Sequence, residues 1–243
     1  MSNTQDIQQQ KTFYDAYWKD MAPLSSYKLQ RMAWITECLV SIRKNIDNKT
    51  PTLLDLGCGD GRLAPLWQSI IGGDTYGLEL SPKAVEVANK MFPSVKYTEG
   101  DATNTPYDSN TFDVIVCQEV LEHVEEQQKL VDECNRILKK GGYLILTTPN
   151  KFYFDRRDGG NYSNQPIENI IDKTQLLELI QPAFAILSYT TLIYAKGDKG
   201  IYKTITGRYL LAMLRRMGFI DRWKKRLLKK GYGLHMAVVC QKS

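Results

Sequence analysis

The chain has 243 residues, 43% of them hydrophobic, with 32 Lys/Arg against 27 Asp/Glu for a net charge of +5. That length buries a full core, as one domain or one domain with an elaboration. Five cysteines without a C-x-x-C pair and only two histidines argue against a zinc module, and the absence of a leader-like or long apolar run argues against export and membrane spanning, so a cytoplasmic location is expected.

Charge is uneven. From Lys196 onward 13 Lys/Arg stand against 2 Asp/Glu, whereas the preceding residues carry 19 against 25. In chain order, helices are expected near 5–20 and 25–47, joined at Pro23. Phe13, Tyr14, Tyr17 and Trp18 crowd the first, and Leu29, Met32, Ala33, Ile35, Leu39 and Ile42 recur at helical spacing in the second. Strands near 52–56, 74–79, 95–99, 112–117 and 142–148 then alternate with helices near 61–71, 81–92 and 126–139. Ser81-Pro82 is a capping residue with proline at the first helical position. This alternation predicts an α/β fold, a parallel sheet with helices on both faces.

A polar stretch containing Arg156-Arg157-Asp158-Gly159-Gly160 follows, then a helix near 173–181, a strand near 184–194 and a final strand over Leu234–Cys240. About forty residues separate these last two strands. There Tyr209, Leu210, Met213, Leu214, Met217, Ile220, Trp223, Leu227 and Leu228 recur at helical spacing among Arg215, Arg216, Lys224, Lys225, Arg226, Lys229 and Lys230. The chain thus divides into an N-terminal helical cap (1–48), a core (49–195), a basic helical insertion (196–232) and the last core strand (233–243). The insertion is expected to pack against the domain as part of a substrate pocket. Contact of its basic face, around 207–230, with an anionic membrane surface is the alternative. No nucleic-acid motif accompanies the charge, so nucleic acid is not an expected partner.

The stretch Leu53-Leu54-Asp55-Leu56-Gly57-Cys58-Gly59-Asp60-Gly61-Arg62 is the richest in information. An apolar run ends in alternating glycines, a helix-like segment follows, and a second apolar run ends in Glu79. Such a unit holds a ribose-bearing cofactor, with the carboxylate placed for the ribose hydroxyls. A dinucleotide site would read G-x-G-x-x-G. Here position 62 is arginine, and Asp55 adds negative charge where a pyrophosphate would sit.

The segment resembles motif I of the class I S-adenosylmethionine-dependent methyltransferases. Glu79-Leu80-Ser81-Pro82, Gly100-Asp101-Ala102, Phe112–Cys117 and Gly141–Leu146 resemble later elements of that family in order, covering roughly residues 50–150. The resemblance implies a Rossmann-like seven-stranded methyltransferase sheet with S-adenosyl-L-methionine as cofactor. It places Asp55 toward the cofactor amine, Gly57, Cys58 and Gly59 around it, Glu79 with Leu80 at the ribose, and Asp101 with Ala102 at adenine. Gln118 and Glu119 fall at the methionine end, and Tyr14 forms part of an N-terminal lid.

Methyl transfer asks the protein mainly to align groups and exclude water, with a general base if the acceptor is a hydroxyl. Glu122 and His123 are the catalytic candidates; a structural role for His123 stands beside that reading. Gln118–Val124 resembles the ubiquinone-pathway O-methyltransferases. It also resembles the metal-binding E-x-x-E-H of small-RNA 2′-O-methyltransferases, but no histidine follows Thr148-Pro149-Asn150, so no metal site is assigned. Tyr17, Trp18 and Tyr27 are candidate walls, Arg156 and Arg157 candidates for an acidic substrate group, and His235 a strand residue with a structural role. The expected activity is methylation of an O or N atom of a small molecule: a sugar, a quinone-like phenol or a secondary metabolite. A metal-assisted RNA enzyme, a membrane-surface lipid or quinone enzyme, a non-catalytic binding module and an NAD oxidoreductase are the rivals.

Overall fold

The computed structural model describes residues 2–17, 23–157 and 165–243; Trp18, Asp158, Gly159 and Gly160 lie outside them. Two helices, α1 (Ser2–Tyr17) and α2 (Ser26–Arg43), precede the sheet. Its strands are β1 (Leu53–Leu56), β2 (Thr75–Glu79), β3 (Lys96–Glu99), β4 (Phe112–Gln118), β5 (Leu138–Pro149), β6 (Phe184–Tyr194) and β7 (Gly233–Lys242). They lie in the order β3-β2-β1-β4-β5-β7-β6, and β7 alone runs antiparallel, between β5 and β6. The expected seven-stranded α/β sheet is therefore present.

Helices α3 (Ala64–Ile71), α4 (Pro82–Met91), α5 (Gln127–Ile137) and α7 (Lys173–Ile180) connect the strands, with a four-residue helix α6 (Lys151–Phe154) after β5. Both faces of the central strands are buried, which explains their near-continuous apolar runs. On one face Leu54, Leu56, Ile115 and Leu144 pack with Leu130, Val131 and Ile137 of α5 and Leu176 and Ile180 of α7. On the other, Leu53, Val114, Val116 and Ile145 pack with Ile35 and Leu39 of α2 and Trp67 and Ile71 of α3.

Three boundaries differ most from the sequence reading, the first being α2, which ends at Arg43 rather than near 47. Helix α3 begins at Ala64, not near 61, because Gly59 and Gly61 hold positive φ. Strand β5 starts at Leu138, where pairing with Phe112 stops α5. The cap of α4 is as expected: the Ala84 N–H donates to Ser81 Oγ at 3.1 Å. Ser81 is wholly buried and its hydroxyl also donates to Asp15 at 2.5 Å. Ser81→Ala is expected to cost about 1–2 kcal/mol, a drop of roughly 2–8 °C in a thermal melt; an unchanged melting temperature would refute the cap's role.

The insertion is not one long helix. Gly207 and Gly218 divide it into α8 (Gly200–Ile205), α9 (Arg208–Arg216) and α10 (Ile220–Lys229). Leu227 of α10 is buried and Tyr202 of α8 fully so, whereas α9 buries no residue. The apolar stripe thus serves the core only in part. Among the described residues no helix is long and apolar enough to cross a membrane.

Candidate functional site

Strand order reverses between β1 and β4, and a crevice opens beyond the carboxyl ends of the parallel strands at such a point. Here it is a cavity of about 280 Å³. At the end of β1 the chain turns through Gly57, Gly59 and Gly61, each at positive φ. The N–H groups of Gly57 and Cys58 donate to the Leu78 carbonyl at 2.8 and 3.0 Å, tying the turn to β2. Glycine is required at position 57 by space as well as by φ: a Cβ there would lie 2.3 Å from Val120 Cγ2.

Glu79 closes the cradle from β2. Its carboxylate accepts from the Gly59 N–H and the Ser81 N–H, each at 3.0 Å. Burial pushes its acid strength down, so its pKa lies above the usual carboxylate value. Asp55 is buried beside it, and burial, reinforced by the charges of Glu79 and Asp60, lifts Asp55 to about 7. Three carboxyl groups thus crowd one glycine turn, Asp60 held by the Arg62 guanidinium, and Asp55 and Glu79, when ionised, disfavour a pyrophosphate and favour a cation. Burial also pushes the Cys58 thiol well up, which leaves it un-ionised and unreactive. The Asp101 carboxylate accepts from the Thr103 N–H and hydroxyl at 2.8 and 2.9 Å, which fixes it at the cavity wall with Ala102.

The opposite wall is built after β4. Glu119 sits at φ +57, an unusual backbone state for a side-chain-bearing residue and one found at functional sites. Its carboxylate accepts from Thr147 Oγ1 at 2.9 Å and lies 2.7 Å from His235 Nδ1 and 3.7 Å from Arg31 Nη1. Burial opposes ionisation of Glu119, but His235 and Arg31 prevail and bring it down to about 2. Glu122, three residues on, lies in a 3-10 turn (Leu121–His123). It has no exposed surface; one oxygen accepts from Thr148 Oγ1 at 3.1 Å and the other, Oε1, has no hydrogen-bond partner among the described residues. Burial and the neighbouring Glu119 charge push its carboxyl well above the ordinary value. Two close carboxyl groups are thereby driven apart, Glu119 toward ionisation and Glu122 toward holding its proton.

His123 Nδ1 lies 2.9 Å from the Ile167 carbonyl. That contact selects the Nδ1–H tautomer and leaves Nε2 as an acceptor, 3.6 Å from Glu122 Oε1. Burial lowers the His123 pKa, so the ring is neutral. From α1, the Tyr14 hydroxyl donates to Gln165 Oε1 at 2.7 Å and its ring meets His123 edge-on.

The thirteen residues named from the sequence as catalytic or cofactor-binding (Tyr14, Asp55, Gly57, Cys58, Gly59, Glu79, Leu80, Asp101, Ala102, Gln118, Glu119, Glu122 and His123) all line this cavity, and the candidate wall residue Tyr17 joins them. Tyr27 does not line it. Nor do Arg156, which stacks 3.8 Å over the Phe152 ring, and Arg157. The insertion contributes nothing to the cavity wall, which corrects the expectation that it forms a substrate pocket. Lys28, Arg31 and Gln165 line the cavity without having been singled out, and His235 enters from β7 through Glu119. These residues lie far apart in sequence, with no local pattern to mark them. His235 pairs with Glu119 rather than completing a metal shell: among the described residues no group of three or more His, Cys, Asp or Glu is placed to hold a metal ion.

Residues 54–146 match the family described as "Methyltransferase domain". The demethylmenaquinone methyltransferase of Chlorobaculum tepidum is 29% identical over 117 residues, 48% of each chain. The ubiquinone biosynthesis O-methyltransferase of Paraburkholderia phymatum is 31% identical over 137 residues, 54% of this chain and 56% of that one. The chain thus spans about half the length of these curated relatives. Among solved structures, the [4+2]-cyclase SpnF superposes with a TM-score of 0.65 at 21% identity, covering 97% of this chain and 96% of that one; the likeness is one of fold. The match over residues 54–146 is thus to a methyltransferase domain, and the fold and the glycine-turn cradle are of the kind that suits S-adenosyl-L-methionine as cofactor. The two curated relatives named above are quinone-biosynthesis methyltransferases, and the chain is similar to them over about half of its length.

Proposed function

We propose that the protein transfers a methyl group from S-adenosyl-L-methionine to an O or N atom of a small organic molecule such as a quinone-like phenol, and that it works in the cytoplasm. The crowding of Asp55, Asp60 and Glu79 at the glycine turn carries this reading, because such a cradle suits a cofactor bearing an ammonium and a sulfonium. Bound there, the cofactor supplies an activated methyl carbon. Asp55 holds the amino group, Glu79 with Leu80 the ribose hydroxyls, and Asp101 with Ala102 the adenine. Gly57, Cys58 and Gly59 give the close backbone approach. Gln118 stands at the methionine side with Glu119, and Lys28 with Arg31 supplies positive charge across from the carboxylates. Tyr14 covers the mouth and keeps water out. Glu122 and His123 hold the acceptor side, where the free imidazole nitrogen takes the proton of a hydroxyl acceptor.

The pH dependence of binding tests the cradle. A cation must find Asp55 ionised, and at about 7 that group is half protonated at neutral pH. Affinity for S-adenosyl-L-methionine should therefore fall as pH drops below 7, approaching tenfold per unit for a one-proton linkage, as read by titration calorimetry. Binding that ignores pH in this range, or tighter binding of NAD, would overturn the reading. Turnover is read as S-adenosylhomocysteine formed with a panel of small phenols. Cofactor binding without product from any acceptor would instead mark a non-catalytic module.

A further inference from the structure

The insertion leaves an organised surface that the cavity does not use. Helix α10 is the anchored half. Leu227 is buried, Thr191 Oγ1 on β6 donates to the Leu228 carbonyl at 2.6 Å, and the Trp223 indole N–H donates to the Ile205 carbonyl at 3.1 Å. Helix α9 is the projecting half. Tyr209, Met213 and Met217, four residues apart and therefore on one face, are 76%, 52% and 56% exposed, and Phe219 is exposed in the turn beyond them. Arg208, Arg215 and Arg216 flank this stripe and are exposed as well. Over residues 207–230, nine Lys/Arg stand against one acidic residue, Asp221.

Neither half of this surface suits water alone. Single exposed apolar side chains are ordinary, but a contiguous stripe of Tyr and Met rimmed by cations marks an interaction surface, and a core-facing stripe would be covered. Apolar side chains ringed by Arg and Lys on short helices fit the interfacial layer of an anionic bilayer, where the rings and thioethers enter the headgroup boundary and the cations meet lipid phosphate. Strand direction gives the surface its place. β6 ends at Tyr194 and β7 begins at Gly233, and both points lie at the sheet end where β5 ends at Pro149, the end at which the cavity opens.

We propose that the α9–α10 hairpin docks the protein on anionic membrane surfaces, with Tyr209, Met213, Met217 and Phe219 as the inserted edge and the surrounding Arg and Lys as the electrostatic contact. Docking there turns the cavity end of the sheet toward the lipid. The proposal rests on the surface and not on the transfer reaction, and its readout is independent of turnover.

The full chain is incubated at low salt with sucrose-loaded vesicles of phosphatidylcholine alone or mixed with phosphatidylglycerol, and bound protein is measured after sedimentation. The expected result is strong binding to the anionic vesicles only. Binding should weaken about fivefold for each of Arg215→Gln and Arg216→Gln, and at least tenfold in the exposed-site double variant Met213→Asp/Met217→Asp. Unchanged thermal melting and unchanged S-adenosyl-L-methionine affinity in these variants show that the fold is intact. A wild-type chain that ignores anionic vesicles, or binds neutral ones equally, overturns the proposal. So does a Met213→Asp/Met217→Asp chain that binds anionic vesicles as wild type, and with equal affinity for a single-stranded RNA this outcome would define a general polyanion surface instead.

Discussion

Gly57→Val is expected to abolish measurable binding of S-adenosyl-L-methionine, a loss of more than about a thousandfold, or over ~4 kcal/mol. Two costs add. A side-chain-bearing residue at φ +74 pays roughly 1–2 kcal/mol for its backbone alone. Its Cβ would then sit 2.3 Å from Val120 Cγ2, so the turn must move away from β4, carrying with it the Gly59 N–H that holds Glu79. Gly72→Ala separates the two costs. Gly72 has the same backbone, φ +76, but nothing lies within 4 Å of a Cβ placed there. It should lose about 1 kcal/mol of stability and keep full affinity. Calorimetric titration of both variants decides the matter. If Gly57→Val binds as wild type, or Gly72→Ala loses binding equally, the cradle is not what the glycine turn is for.

That contrast shows why the cofactor half of the site is legible in the sequence. A turn at the end of β1, a carboxylate at the end of β2 and an Asp after β3 are each fixed by local backbone geometry, so residue type and spacing carry the information. The wall built after β4 is assembled otherwise. Arg31 Nη1 meets His235 Nε2 at 3.2 Å across 204 positions, and Tyr14 reaches Gln165 across 151. No periodicity encodes such pairs; they follow from which strand lies at the sheet edge and which helix packs over it. His235 reads from sequence as an ordinary residue of a buried strand, and it becomes a partner of Glu119 only because β7 inserts antiparallel beside β5. The insertion misleads for the opposite reason. Its heptad-like stripe is real, but Gly207 and Gly218 break it, and a pattern alone does not say whether a protein core or some other apolar phase covers it.

The sharpest consequence of that long-range assembly is that two carboxyl groups three residues apart should respond to the same substitution in opposite directions. Glu122 is fully buried, with one oxygen unpartnered among the described residues, and burial together with the Glu119 charge holds its carboxyl well above its ordinary 4.5. A carboxyl with a raised folded-state pKa binds its proton more tightly in the folded chain, so stability falls as pH rises above 4.5 toward that higher value. Glu122→Gln removes the penalty. It should melt a few degrees higher than wild type at about pH 8 and lose that advantage near pH 4. If Glu122 works with His123 on the acceptor proton, the same variant should lose at least about a hundredfold in turnover. Glu119→Gln removes a charge that His235 and Arg31 hold at a folded-state pKa of about 2. That contribution is fully present above 4.5 and lost as pH falls toward 2, so the variant should be destabilised at neutral pH, by about 3–5 kcal/mol for a broken buried pair, with the difference closing only in acid. Melting curves of the two variants from about pH 4 to pH 8, beside their S-adenosylhomocysteine production, separate the roles. A Glu122→Gln chain that is less stable at pH 8 yet fully active would make Glu122 a packing residue and leave the proton transfer to His123 alone.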